Sequence, residues 1–160
     1  MSDLEEKQIR DKLFKPLIGN WKGTAKTWFK PDELGDTSEI KGSIKEILDG
    51  LFLLHEYEGS LMGQTMKGIA IYGFNTSKSQ FECAWIDNQH QGSEIMLSKG
   101  NISQDTFSVL GHYTTFDQTE TWGWRTEIKI LDERNIVIRY YNISPKEDEY
   151  VGVEITYKKS

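Results

Sequence analysis

The chain has one cysteine, Cys83, so it can form no internal disulfide. That fits a reducing compartment. The opening residues MSDLEEKQIR are charged where a secretory signal would be apolar. No segment approaches the ~20 apolar residues of a membrane span. A soluble, cytoplasmic protein is expected, with no membrane as partner. No run of Lys and Arg is present, and the formal charge is −6. Nucleic acid is therefore excluded as the main partner, because phosphate binding needs a basic surface. Nucleophile-elbow, P-loop and dinucleotide glycine patterns are also missing. The three histidines, His55, His90 and His112, do not stand at metal-ligand spacing. No metal site is expected. No cofactor is indicated, although haem stays open because a single histidine can hold it.

What is present is aromatic. Phe, Trp and Tyr make up 12% of the 160 residues, with five tryptophans among them. That is one domain, 1–160, with large side chains available for a core or a cavity wall. Residues 3–17 carry a rough apolar stripe (Leu4, Ile9, Leu13, Phe14, Leu17) behind Asp3, Glu5 and Glu6. This predicts a short helix with acidic groups at its positive end, stopped near Lys15 by Pro16.

Beyond Gly19 the apolar period falls to two. Strands are expected from 20 to 29, 38–48, 51–60, 65–75, 80–87, 93–100, 105–115, 121–132, 135–143 and 149–158. Residues 31–36 read as a loop, and 49–50, 62–64, 76–79 and 88–92 as turns. Ten successive antiparallel strands favour an all-β, up-and-down closed barrel, which leaves no open edge.

The segments LIGNWKG (17–23), ILDGLFLLHEYEGSLMGQTMKGIAIYGFNTSKSQFECAWID (47–87) and EITYKK (154–159) together resemble the domain-of-unknown-function 1579 family. These are bacterial proteins similar to lipocalins and other calycin barrels. The resemblance runs from about residue 11 to residue 159. The family pattern usually has Arg where this chain has Leu51, and a small residue such as Ser where it has His55. The resemblance implies a lipocalin-like barrel and no established activity. It also implies that Trp21 starts the first strand. A large ring there, under a short helix, would plug one barrel end, with Gly19 and Gly23 allowing close backbone contact. Arg139, on a late strand, is the expected cation beside Trp21.

Alternation assigns an inward face to each strand. It comprises Leu51, Leu53, His55 and Tyr57; Met66, Gly68, Ala70, Tyr72 and Phe74; and Phe81, Cys83, Trp85 and Asp87. Later strands add Trp122, Trp124, Thr126, Ile128 and Ile130, then Ile136, Ile138, Tyr140, Val151, Val153, Ile155 and Tyr157. Apolar walls with a few polar heads are the make-up of a small-molecule pocket. Gly68 and Ala70 argue for space in it. The expected ligand-binding residues are His55, Tyr57, Tyr72, Trp85, Asp87, Trp122, Trp124 and Tyr140. Asp87 also suits capping of the turn that follows. His90 is expected in solvent within that turn, His112 outside the barrel, and Cys83 inert in apolar company.

Three functions follow from this reading. The first is binding of a small, largely apolar molecule in the lumen. The second is an enzyme in the same cavity, with His55 as acid or base. The third is a protein-interaction module or homodimer, touching through Trp28, Phe52 or Tyr141.

Overall fold

The computed structural model describes residues 2–90, 92–101 and 106–160. Gln91 of the 88–92 turn and Asp105 at the expected start of the seventh strand lie outside them.

A helix, α1 (Asp3–Phe14), leads into a 3-10 turn, Lys15–Leu17. Ser2 caps α1 through a reciprocal box with Glu5, which satisfies two backbone donors that a helix start leaves free. Leu13, Phe14 and Leu17 are buried, whereas Leu4 at the start of the expected stripe is exposed. Ten strands follow: β1 (Gly19–Lys30), β2 (Glu33–Ile47), β3 (Phe52–Leu61), β4 (Gln64–Asn75), β5 (Gln80–Asp87), β6 (Met96–Asn101), β7 (Phe107–Thr114), β8 (Thr121–Ile130), β9 (Asn135–Ile143) and β10 (Glu149–Lys159). Each pairs antiparallel with its neighbour in sequence, and β10 pairs with β1, so the sheet closes on itself. The fold is the expected barrel.

Local chemistry sets the hairpins. Met62 and Gly63 both take positive φ, the geometry of a two-residue turn whose twist matches its strands. The β1–β2 hairpin is longer than the sequence indicates. Only Pro31 and Asp32 turn, and Glu33 already pairs with Lys30. Residues 33–36 read as loop, but they continue the β1–β2 ladder. At the closure, a Cβ on Gly23 would lie 1.6 Å from the carbonyl oxygen of Thr156. Only glycine lets β1 and β10 meet there.

The inward face follows the alternation on β3, β4 and β5. Leu51 departs from it, standing in the turn before β3 and exposed. On β10 a bulge between Val151 and Val153 shifts the register. Val151 is therefore only partly buried and Gly152 turns inward, while Val153, Ile155 and Tyr157 keep their assigned face.

The helix packs on the end where β1 begins. Phe14 meets Phe81 at 6.1 Å between ring centroids, and Phe81 meets Phe107 at 5.0 Å. Trp21, 1% exposed, donates its indole N–H to the carbonyl of Leu17 at 2.9 Å. The ring thus ties the first strand to the segment that covers it. Its cation is Lys159, 5.1 Å from the ring centroid, and not Arg139. Arg139 lies on β9, one strand too far, and pairs with Glu154.

Candidate functional site

The end of the barrel opposite the helix is formed by the last residues of β5 and β7 and the first of β6, β8 and β10. Trp85, Trp124 and Tyr140 meet there across the interior. The two indoles lie 5.7 Å apart and 5° from parallel, and Tyr140 is 5.8 and 5.6 Å from them. Each is at least nine-tenths buried. The strands carrying Trp85 and Trp124 are not sequence neighbours, so the barrel's curvature makes this cluster.

A chain of hydrogen bonds runs from it. Trp85 Nε1 donates to the Tyr57 hydroxyl at 2.8 Å. Tyr57 donates to Oδ2 of Asp87. Tyr57 and Asp87 stand on β3 and β5, with β4 between them. The contact is possible because Gly68 on β4 has no side chain; a Cβ there would lie 2.1 Å from the Tyr57 ring. The gap expected at Gly68 is therefore filled by Tyr57. Asp87 also caps its turn, with Oδ1 accepting from the backbone N–H of Gln89 at 2.6 Å and of His90 at 2.9 Å. Burial pushes the Asp87 carboxyl up. His90, Tyr57 and the Gln89 N–H outweigh that and hold it below the usual carboxylate range. Tyr57 is held well above its ordinary value, first by burial and then by Tyr140 and Asp87.

His90 is not the solvated turn residue the sequence suggests. Its Nδ1 lies 3.1 Å from Asp87 Oδ2, an ion-pair distance when the ring is charged. Its ring sits 5.7 Å from Trp85 and 6.5 Å from Trp124. The turn folds back over the tryptophans because Asp87 anchors it from inside. A histidine three residues after a buried Asp was the signal available in the sequence.

His55 points inward, as expected, and is fully buried. Its Nε2 lies 3.1 Å from the Tyr157 hydroxyl. Its ring is 5.2 Å from Tyr57 and 6.4 Å from Tyr72. Burial pulls its pKa down to about 4, so the imidazole is neutral near pH 7. Tyr72 turns toward the helix end, edge-on to Phe107 at 5.1 Å. Trp122 stands apart from the other candidates, half-exposed, with its N–H on Glu120. Cys83 is buried, and its thiol is pushed up to about 12 by burial. His112 is exposed.

Three buried ring nitrogens near these side chains have no hydrogen-bond partner, Trp124 Nε1, His55 Nδ1 and His90 Nε2, while His90 Nδ1 has only the Asp87 carboxylate beside it. Buried polar groups are nearly always paired, and an indole nitrogen is always an N–H, so Trp124 Nε1 marks a place where an acceptor is missing. Tyr113, on the rim beside Trp124, gives its hydroxyl to Asn142 at 2.6 Å. A pocket of about 940 Å³ is lined by residues of β1–β5 and by residues 92–95, among them Tyr57, Gly68 and Asp87 as well as the outward Lys67, Ile69 and Ile86. Among the described residues no cluster of His, Cys, Asp and Glu could hold a metal ion, and no helix is long and apolar enough to cross a membrane.

Residues 6–159 match the family described as "Protein of unknown function (DUF1579)". No curated protein matches the sequence. Among solved structures, the S-type phycobiliprotein lyase from Guillardia theta is similar over 97% of each chain, at 9% identity and a TM-score of 0.55. At that identity the likeness concerns the fold.

Proposed function

The chain belongs to the DUF1579 family, and within it we propose that this protein binds a small, largely apolar molecule at the loop-bearing end of its barrel. The observation that carries the reading is the Trp124 indole N–H, buried and without a partner beside the stacked Trp85 and Tyr140. An indole N–H can only donate. A ligand that suits it has a flat apolar body to lie against the rings and one acceptor oxygen to meet Nε1. Asp87 is held ionised and its oxygens are taken by Tyr57, Gln89 and His90, so a neutral ligand suits the site better than an anion. Tyr57, Trp85, Asp87, Trp124 and Tyr140 belong to this site, His90 covers it, and His55 and Tyr72 support it from below. Support by analogy comes from the similar barrel of a phycobiliprotein lyase. The proposal puts the protein in the cytoplasm, in keeping with its one buried thiol.

The test uses prodan, a neutral naphthalene ketone whose emission reports an apolar surrounding. Titration into the protein is expected to saturate. Trp124→Phe keeps an aromatic ring and removes the donor, so it weakens binding by about one hydrogen bond, ~0.5–1.5 kcal/mol. Absence of saturable binding, together with a bare chain mass in native mass spectrometry, would sink the reading. So would binding that ignores Trp124→Phe.

A further inference from the structure

The two sides of the barrel differ in chemistry. Across β8, β9 and β10 the outer surface is laced with ion pairs: Arg125 with Glu127 and Glu149, and Arg139 with Glu154. Arg125 also covers Tyr141 at 4.1 Å, which removes that ring from the exposed contacts the sequence offered. The outer wall of β3–β6 has the opposite character. Leu54, Ile71, Ala84 and Leu97 are register partners in one row across four strands. Ile69 and Ile86 pair in the next row, and Ile95 stands just before β6. Leu97 is 68% exposed, Ile95 64% and Ile86 42%, while Leu54 and Ala84 are half-buried. These apolar residues are not scattered singly but form one contiguous band over four strands, the kind of patch that is often functional.

The charges at the two ends of this band are arranged in a particular way. At one end along the strands stand Glu82 on β5 and Lys99 on β6, themselves register partners. At the other end stand Lys67 on β4, 4.0 Å from Glu58, and Glu94 just before β6. Lys67 pairs toward Asn88 and Gly73 pairs with Glu82, so Lys67 and Glu82 lie about 20 Å apart along the strands at ~3.4 Å per residue. Consider a two-fold axis lying in the plane of this wall, perpendicular to the strands and passing midway between the row of Ile69 and Ile86 and the row of Ile71 and Leu97. It carries each end of one copy onto the opposite end of the other. Glu82 then meets the second copy's Lys67, and Lys99 meets its Glu94. Like charges meet at neither end.

We propose that two copies of this chain associate through the outer wall of β3–β6, with Ile71, Ile86 and Leu97 at the centre and the pairs Glu82–Lys67 and Lys99–Glu94 formed reciprocally across the axis. Such an isologous contact needs one self-complementary patch, and this wall is one. Four strands at ~4.8 Å and rows at ~6.8 Å give an apolar centre of about 300–400 Å² per copy, which the charged rim enlarges toward the ~800 Å² of an ordinary interface. The association is therefore of the weaker, reversible kind.

Sedimentation velocity of the full chain, over loadings from about 1 to about 500 µM, tests this. A concentration-dependent dimer is expected. Ile71→Asp places a carboxylate at the centre and shifts the protein to monomer. Thermal melting confirms that this variant is folded; Leu97→Asp, at a more exposed position, repeats the test if it is not. Lys67→Glu and Glu82→Lys each weaken association by about tenfold, and the double variant recovers most of the loss, because the exchanged charges still meet. A monomer at every loading overturns the proposal, whatever other protein the wall may capture. A dimer indifferent to Ile71→Asp and Leu97→Asp overturns it as well, as does a double charge reversal no stronger than the singles.

Discussion

His55 on β3 and Tyr157 on β10 meet inside the barrel at 3.1 Å, reaching over Gly42 on the strand beside β3. A Cβ at Gly42 would lie 2.4 Å from the Tyr157 hydroxyl oxygen and 3.1 Å from His55 Nε2. The missing side chain is therefore part of the contact.

Gly42→Ala is accordingly expected to destabilise the fold by about 1–3 kcal/mol, the usual cost of overpacking a filled core. Tyr157→Phe removes the atom that clashes hardest. Combined with Gly42→Ala it should recover part of the loss, so the double variant melts higher than the sum of the singles allows. Additive melting shifts would show that Gly42 and Tyr157 do not constrain each other.

The burial of His55 makes stability depend on pH. In the unfolded chain the imidazole takes its proton near pH 6.5, while in the barrel it does so only near 4. Between these values the unfolded state binds more protons. Stability is thus fully present above about pH 6.5 and is lost as pH falls, by on the order of 3 kcal/mol at pH 4. Denaturant melts of the protein and of His55→Asn between pH 7 and pH 5 check this. The protein should lose stability across the interval, and the variant should lose less. Parallel curves would mean that the histidine is reached by solvent.

Trp21 offers two separable contributions. Trp21→Phe keeps a ring beside Tyr157 and removes the bond to Leu17, at a cost of about 1 kcal/mol. Trp21→Ala also opens a cavity under the helix and should cost about 3–5 kcal/mol. Equal melting temperatures for the two variants would show that the ring's bulk does nothing there.

The strands could be read in the sequence because a half-buried strand repeats every two residues and short turns punctuate it. The inward set on β4 and β5, from Met66 to Asp87, was legible for that reason. Val151 was not, because one extra residue at the bulge moves it off the face that alternation assigns. Lys159 was missed beside Trp21 because pattern tells that late strands return to the first, not which residue faces which. In the candidate site, Trp85, Trp124 and Tyr140 were found by parity, but their stacking depends on curvature that carries no local signal. Trp122 shares parity with Trp124 and still lies apart, because depth along the barrel decides what it touches.

The closing ladder has a temporal side. Trp21 pairs with Lys159 and Gly23 with Tyr157, while β10 holds β9 along its other flank. Until β10 is in place, β1 and β9 are both bare, and the sheet is open with two unpaired flanks. The final strand acts as a zip fastener drawn from both sides at once. The interval before it closes is when this chain's strand edges are most open to pairing with another chain.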